Sequence, residues 1–209
     1  MDGGIPEERI AIFPNFSRIS RAEAPPSEQL GDTVSFVGRL APEKGIELFI
    51  EAARRLPEIS FAAAGDYSWV DQSGCEIPAN LKLRGFLAGD ELSRFYQDSK
   101  MLCFPSQWYE GFPNVIITAM EHKKPVIAGR IGALPEIVLD EKTGLLHDPP
   151  SIEQLVAAIK RLDASEALCR EFGERGFQRI FADYHVDIVY PHLVEVYRDV
   201  VGAGGLNAV

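Results

Sequence analysis

Cysteines and long apolar stretches are scarce in this sequence, and each shortage excludes a class of protein. The three cysteines, Cys75, Cys103 and Cys169, have the spacing of neither a metal site nor a redox pair. No His, Cys or carboxylate cluster has metal-ligand spacing. No apolar run reaches the ~18 residues of a membrane-spanning helix, and no signal-peptide pattern opens the chain. We therefore expect a cytoplasmic protein without a metal site of this kind.

Positive charge is also in short supply. The chain has 21 Lys and Arg residues against 31 Asp and Glu residues, for a formal net charge of −10. Nucleic acid is therefore not the expected partner, because binding to a phosphate backbone requires a basic face. With 209 residues, of which 46% are hydrophobic, the chain is long enough to bury a substantial core in about one domain.

Short apolar runs alternate with helical patterns along most of the chain. A short strand is predicted at residues 10–14, and core strands at 33–37, 59–64, 101–104, 125–128 and 144–147. Residues 81–87 are predicted to form a further strand and its C-terminal turn. Helices are predicted at 45–53, 90–99, 113–121, 134–138, 151–162, 166–180 and 186–201. The sequence thus predicts an α/β fold with a Rossmann-like, doubly wound, mostly parallel sheet and helices on both faces. Residues 1–30 are predicted to form a hinge or linker, residues 31–201 the domain, and residues 202–209 a disordered tail.

The most informative stretch is residues 106–121, in which a strand, an aromatic loop and a helix follow one another. Pro113 is predicted at the first helical position, and Glu110 in the loop ahead of it. A helix N-terminus favours a phosphorylated ligand, and Gly111 allows close backbone approach. Three aromatic residues could form apolar walls: Trp108, Tyr109 and Phe112. The alternative is an ordinary strand–helix loop whose acidic residue complements the helix dipole.

A second candidate site follows the strand at residues 33–37. Arg39 and Lys44 both precede a helix N-terminus, where the helix dipole disfavours cations. Two cations at such a place indicate an anion, and Arg and Lys together suit a diphosphate. The alternative is a solvated basic pair balanced by Glu43 and Glu47.

These motifs resemble those of one enzyme family. The segment Glu110-Gly-Phe-Pro-Asn114 with the helix after it, Lys124-Pro-Val-Ile-Ala-Gly129, and Gly38-Arg-Leu-Ala-Pro-Glu-Lys-Gly45 are similar to the donor site of group 1, family 4-like glycosyltransferases. The resemblance covers residues 5–201. It implies the C-terminal, nucleotide-sugar-binding half of a GT-B fold, and residues 4–15 are similar to the hinge between the two halves. The N-terminal, acceptor-binding domain would then lie outside this chain.

The resemblance also assigns roles to residues. It implies that Arg39 and Lys44 stabilise the departing diphosphate and that Glu110 holds the transferred sugar. It implies donor-binding roles for a further set: Gly38, Gly85, Phe86, Leu87, Gly111, Phe112, Pro113, Asn114, Val115 and Thr118. Residues 85–87 would lie beside the base, although packing of Phe86 against the protein is equally compatible with the pattern. Pro113 has no N–H to offer.

One position departs from the family pattern. The family has a second glutamate, which typically binds the nucleotide ribose, where this chain has Thr118; Glu121 lies one helical turn further on. A threonine hydroxyl supplies no charged acceptor, so ribose recognition is the least supported of the implied roles.

The resemblance implies retaining transfer of a hexosyl group from a UDP or GDP sugar, without a metal or other cofactor. Two alternatives stay open: a nucleotide-sugar 2-epimerase of the same fold, and a non-catalytic nucleotide-binding module, which Thr118 favours. A lipid-linked or polysaccharide acceptor and peripheral membrane association would both depend on the missing domain. His122 and His147 are predicted to be surface or capping residues. The chain alone is expected to be inactive, because a two-domain cleft is needed to exclude water.

Overall fold

A computed structural model of the chain describes residues 7, 10–20 and 30–203. Its centre is a sheet of six strands that all run parallel. They are β1 (Thr33–Val37), β2 (Ser60–Ala64), β3 (Leu81–Leu83), β4 (Ser99–Phe104), β5 (Val126–Gly129) and β6 (Gly144–His147), in the spatial order β3-β2-β1-β4-β5-β6. The strand order reverses between β1 and β4, and this is where ligands bind in sheets of this type.

Helices cover both faces of the sheet. They are α1 (Ile46–Arg55), α2 (Ser68–Ser73), α3 (Gly89–Gln97), α4 (Asn114–Glu121), α5 (Leu134–Ile137), α6 (Ile152–Asp163), α7 (Glu166–Arg179) and α8 (Val186–Ala203), with a π-helical turn at Ile180–Tyr184. One buried cluster joins the sheet to α1, α2, α6 and part of α7, and it includes three aromatic rings: Phe36, Phe49 and Phe61. The other joins it to α3, α4, α5 and the π-helical turn. The predicted Rossmann-like α/β fold is confirmed.

The loops after β1 and β4 pack directly on each other at the point where the strand order reverses. Gly45 adopts φ +78°, and a Cβ atom there would lie 1.9 Å from the Pro105 carbonyl oxygen. The Gln107 amide donates to the Glu43 carbonyl at 3.0 Å. Only glycine fits this close backbone approach, so the two candidate motifs are held together by main-chain contacts.

Several predicted boundaries are wrong, for local reasons. Residues 10–14 form no strand. The strand with its C-terminal turn predicted at residues 81–87 is confirmed: β3 stops at Leu83, and Gly85 turns the chain with φ +70° while its carbonyl accepts from the Gly65 amide. The segment that follows Asp66, through residue 80, is rich in Asp, Gly and Pro and is predicted to be a loop, but it contains α2. The predicted helix at 90–99 ends at Gln97, since Ser99 already belongs to β4.

Helix ends differ from prediction in three places. Pro113 is the N-cap of α4 with an extended ψ of 116°, not its first helical residue. The spacing of Ser151 and Gln154 predicts a capping box at the start of α6. Ser151 caps the helix as predicted, but the Gln154 side chain bonds to Asp148 instead of to the Ser151 amide. Helix α8 continues to Ala203, whereas the tail was predicted from residue 202.

Two predicted regions fall partly outside the described residues. Residues 204–209 of the predicted tail lie there, as do residues 1–6, 8–9 and 21–29 of the predicted hinge. No helix in the part of the chain that the structure describes is both long and apolar enough to cross a membrane.

Candidate functional site

A salt bridge connects the two candidate motifs. The Nζ atom of Lys44, just ahead of α1, lies 2.6 Å from Oε1 of Glu110 in the loop after β4. Both side chains are mostly shielded from water. The Ser106 hydroxyl donates to the same Glu110 oxygen at 2.7 Å, and Ser106 itself is fully buried. Glu110 is therefore fixed by a cation and a hydroxyl that belong to two different loops.

Arg39 lies in the same loop as Lys44 but has a different partner. Its guanidinium group bonds to the Glu43 carboxylate one helical turn further on, and its side chain is 61% exposed. The Glu43 carbonyl in turn accepts from the Ser106 hydroxyl at 3.3 Å. The alternative interpretation of a basic pair balanced by Glu43 and Glu47 thus matches the structure at Arg39 but not at Lys44, whose partner is Glu110.

A pocket of about 510 Å³ opens beside these residues, at the carboxyl ends of β1 and β2. Its lining combines the β1, β2 and β3 loops with the start of α3 and includes three predicted donor-binding residues: Gly38, Phe86 and Leu87. Phe86 is 80% exposed, so the alternative interpretation, in which this ring packs against the protein, is wrong. Gly85 lies next to the lining and holds Gly65 through its carbonyl.

Two glycines from neighbouring strand ends, Gly38 and Gly65, form the floor of this pocket. A Cβ atom on Gly65 would lie 1.8 Å from the Gly38 carbonyl oxygen, and the Gly38 amide donates to Ala64. Asp66 at the pocket edge accepts from the side chain and the backbone of Ser68, and these bonds lower the pKa of its carboxyl group. The wall thus carries an ionised carboxylate near Arg39, a feature that the sequence motifs did not single out.

The rest of the predicted donor loop lies at the open rim of the same sheet edge. Gly111 and Asn114 are exposed, while Phe112, Pro113 and Val115 are half-buried. The Phe112 ring packs edge-on against Tyr184 at 5.1 Å between centroids. The other two loop aromatics, Trp108 and Tyr109, are 62% and 78% exposed and form an open rim; that they act as apolar walls for a ligand stays a prediction.

Thr118 and Glu121 do not provide a charged group for a ribose. The Thr118 hydroxyl donates back to the Asn114 carbonyl at 3.1 Å. The Glu121 carboxylate accepts from the Ser17 hydroxyl, on the side where the N-terminal segment crosses α4. Burial raises the pKa of Glu121, and the Ser17 hydrogen bond partly offsets this rise. The substitution at Thr118 therefore has no compensating carboxylate on this helix.

The prediction that the histidines are surface or capping residues is confirmed for His122, which is the C-cap of α4, and is wrong for His147. His147 is not a surface residue: it ends β6 fully buried, and neither ring nitrogen has a hydrogen-bond partner among the described residues. Burial lowers the pKa of His147 to about 4. His122 is half-buried between the Ser93 hydroxyl and the Thr118 carbonyl, and burial lowers its pKa too. Neither imidazole reaches the Lys44–Glu110 pair.

Sequence reasoning missed Ser106 as a functional residue, although it begins the motif. The feature that could have identified Ser106 is its position: it is a small hydroxyl residue two positions after the end of a buried strand and four residues before Glu110.

The structure gives no candidate metal site in the residues that it describes. Among residues 7, 10–20 and 30–203, no three His, Cys, Asp or Glu side chains are grouped so as to hold a metal ion. That the chemistry needs no metal stays a prediction.

The fold and this site define a Rossmann-like α/β domain with a ligand site at the reversal of strand order, the architecture from which GT-B enzymes are built. Comparison with known proteins agrees. A model of the family described as glycosyl transferases group 1 matches residues 20–179. The chain belongs to this family of sugar-transferring enzymes.

Individual relatives cover different shares of the chain. An uncharacterized glycosyltransferase of Methanocaldococcus jannaschii is 33% identical over 145 residues, covering 68% of this chain and 41% of that protein. The poly(ribitol-phosphate) alpha-N-acetylglucosaminyltransferase of Staphylococcus aureus is 30% identical over 199 residues, covering 91% of this chain and 40% of that protein. The crystal structure of TarM has a TM-score of 0.77 at 26% identity, covering 88% of this chain and 38% of that one. The chain thus spans less than half the length of these relatives.

Proposed function

We propose that this chain binds the nucleoside-diphosphate sugar of a retaining glycosyltransferase and provides the groups that stabilise the departing diphosphate. The observation that carries the proposal is the contact between Lys44 and Glu110, because it joins a cation and a sugar-binding acid at one rim. The pocket of about 510 Å³ that Arg39 helps to line lies at the carboxyl ends of β1 and β2 and has the apolar surface that a base requires.

The reaction would proceed as follows. The bond between the anomeric carbon and the diphosphate oxygen breaks, and the acceptor hydroxyl oxygen bonds to the same face of that carbon. The hydroxyl proton passes to the departing diphosphate. Lys44 and Arg39 would leave Glu110 and Glu43 to bind the developing negative charge, which is electrostatic stabilisation of a leaving group. Glu110, with the amides of Phe112, Asn114 and Val115, would hold the hydroxyls of the sugar.

Retention is supported by the products named for two relatives. The S. aureus relative is named for an alpha-linked N-acetylglucosaminyl product, and an MMP alpha-(1->4)-mannosyltransferase of Mycolicibacterium hassiacum is 32% identical over 116 residues. Donors that are themselves alpha-linked would give these products with retention. The acceptor would be held by the part of the enzyme that this chain does not include, a lipid-linked or polysaccharide acceptor among the candidates.

Calorimetric titration of the 209-residue chain tests the proposal. The probes are UDP, GDP, UDP-glucose, UDP-N-acetylglucosamine and GDP-mannose, with AMP as a nucleotide without a diphosphate. We expect one diphosphate and its sugar conjugate to bind and AMP not to bind. A chain that binds none of the diphosphates would contradict the proposal.

Lys44→Ala tests the role of the cation in the same titration. We expect affinity for the diphosphate to fall about 10- to 100-fold, since a hydrogen bond to a charged group contributes about 1.5–3 kcal/mol. Lys142→Ala, which removes an exposed lysine away from the pocket, is the matched control and should change nothing. In the intact enzyme Lys44→Ala should lower turnover far more than stability. Unchanged binding and turnover would remove Lys44 from the mechanism.

A non-catalytic nucleotide-binding module is the second candidate, because this helix offers no free carboxylate to a ribose. Thr118 has a hydroxyl in place of the family's glutamate, and the Glu121 carboxylate already accepts a hydrogen bond from Ser17. Product analysis of the intact protein with labelled donor separates the candidates. Transfer or hydrolysis of the sugar supports the glycosyltransferase, and binding without turnover supports the module. Formation of the 2-epimer would indicate the epimerase, which the family assignment does not favour.

A further inference from the structure

We propose that Asn15, in the N-terminal segment of residues 10–20, is a positioning residue for the sugar-binding loop. The side-chain amide of Asn15 donates to the Phe112 carbonyl at 2.9 Å, across 97 positions of sequence. Phe112 lies directly before the Pro113 N-cap, so its carbonyl has no partner inside α4, whose first turn begins with the bond from Ile116 to the Pro113 carbonyl. Asn15 supplies the partner that the helix does not. The inference rests on the proposed function, since it concerns the donor loop.

The backbone next to Asn15 is fixed by hydrogen bonds to the rest of the domain. Two residues on, Ser17 is buried and pairs with the chain on both sides: its amide donates to the Tyr184 carbonyl at 2.7 Å, and its carbonyl accepts from Val186 at 2.8 Å. Its hydroxyl donates to Glu121 at the end of α4. The N-terminal segment is therefore anchored to α4 and to the start of α8, and Asn15 acts from this anchor.

Phe112 is held a second time through its ring. The ring packs edge-on against Tyr184, the residue whose carbonyl also holds Ser17. The Tyr184 hydroxyl is fixed in turn by Arg179 and by the Glu136 carbonyl. One connected group of contacts thus sets the position of Phe112, and within this group it is Asn15 that reaches the loop carbonyl directly.

The loop between Phe112 and Glu110 contains a single flexible link. Upstream, Glu110 is fixed through its side chain by Lys44 and Ser106, and through its carbonyl by the Ala133 amide at 3.2 Å. Downstream, Phe112 is fixed by Asn15 and Tyr184. Between them Gly111 is exposed, and a Cβ atom added to it would face open space, with no described residue within 4 Å. Loss of the Asn15 bond would therefore free the Phe112 carbonyl and leave the ring contact with Tyr184 to hold Phe112, so residues 111–113 would be less constrained while Glu110 stays in place.

This arrangement predicts an effect on the sugar and not on the nucleotide. Asn15 contacts the loop that would hold the sugar, whereas the pocket proposed for the base is lined by the β1, β2 and β3 loops and the start of α3. Asn15→Ala should weaken the binding of the nucleotide sugar about five- to tenfold, the usual effect of losing one hydrogen bond. Affinity for the corresponding free diphosphate should not change.

Two measurements test the inference. The first needs no ligand: hydrogen exchange of the Ile116 amide, which donates to the Pro113 carbonyl at 3.1 Å, should become faster in Asn15→Ala because the loop ahead of α4 is less constrained. It should not change in Ile12→Ala, a control in the same segment at a residue that is 88% exposed. The second compares the affinities of both variants and wild type for UDP and UDP-glucose, or for GDP and GDP-mannose if the wild type prefers that pair. Asn15→Asp, which keeps the shape but places an acceptor against the Phe112 carbonyl, should exceed the effect of Asn15→Ala in both.

The outcomes separate this inference from the function it rests on. A wild-type chain that binds none of the four probes overturns the proposed function and leaves the exchange experiment to decide whether Asn15 orders the loop. A wild type that binds, with Asn15→Ala changing neither exchange nor affinity, overturns the inference alone. Equal loss of affinity for sugar conjugate and diphosphate, or a loss matched by Ile12→Ala, also overturns it, because both indicate a general effect on folding.

Discussion

At the scale of single residues, the site is held by groups that satisfy one another before any ligand arrives. Glu110 accepts from Lys44 and from Ser106, and Arg39 pairs with Glu43. A diphosphate would therefore have to replace two carboxylates as the partner of these cations. Such an exchange requires new partners for the displaced carboxylates: Glu110 would gain the hydroxyls of the sugar, and Glu43, which is more exposed, would gain water.

Ser106 allows the binding role of the loop to be separated from its stability. Ser106→Ala removes a buried donor to Glu110 and should weaken binding of the nucleotide sugar several-fold while lowering stability by about 1 kcal/mol. Ser99→Ala, at the other end of β4, also removes a buried hydroxyl hydrogen bond, in that case to Phe95. It should cost similar stability in urea unfolding but leave sugar binding intact. Equal binding by both variants would contradict the role of Ser106.

His147 predicts a pH dependence of stability. Its pKa is lowered to about 4 in the folded chain from 6.5 in the unfolded chain, so the unfolded state binds the extra proton first as the pH falls. The contribution of neutral, buried His147 to the free energy of unfolding is therefore fully present above pH ~6.5 and is lost progressively as the pH falls to ~4. Between pH 7.5 and pH 5 the loss should be about 2 kcal/mol.

Urea unfolding at these two pH values checks the His147 prediction. His147→Leu should lose about 2 kcal/mol less than wild type between them, because leucine cannot bind a proton. His192→Gln, which replaces an exposed histidine, should behave like wild type. The prediction fails if His147→Leu and wild type have the same pH dependence.

At the scale of elements, α7 packs closely on the end of α4 through two glycines. A Cβ atom on Gly173 would lie 1.9 Å from the Lys123 carbonyl oxygen, while one on Gly176 would meet the flexible Met120 side chain at 3.1 Å. Lys123 itself ends the α4 turn with φ +54°. The first contact is with rigid backbone and the second with a side chain that can move.

The same substitution should therefore have different effects three residues apart. Gly173→Ala should destabilise the chain by about 1–3 kcal/mol or more, because α7 must shift away from the Lys123 backbone. Gly176→Ala should be close to neutral, since the helix propensity gained from alanine offsets the displacement of Met120. Thermal unfolding of the two variants measures this difference. Similar melting temperatures would show that α7 can move freely on α4.

At the scale of the whole molecule, topology explains which parts of the site were predictable. Arg39, Phe86 and Glu110 follow different strands, and in a parallel sheet the strand ends share one edge, so their common location followed from the strand pattern alone. The hydrogen-bond and salt-bridge partners of these residues did not follow from the strand pattern. Whether Lys44 meets Glu47 or Glu110 depends on how closely Gly45 approaches Pro105, and the Asn15 contact joins a pattern-poor segment to a loop 97 residues away.

The last prediction concerns the chain as a unit. It spans about 40% of the length of the two curated relatives described above, and the rim that contains Trp108 and Tyr109 is open to water. We expect the 209-residue chain to bind the nucleotide sugar without transferring the sugar, because transfer requires a cleft that excludes water and an acceptor site facing Glu110. Release of UDP or GDP from the bound nucleotide sugar over several hours, measured with a coupled assay, should equal the background of Lys44→Ala. Release above that background would show that this domain alone activates the leaving group and would contradict the expectation that a second domain is needed.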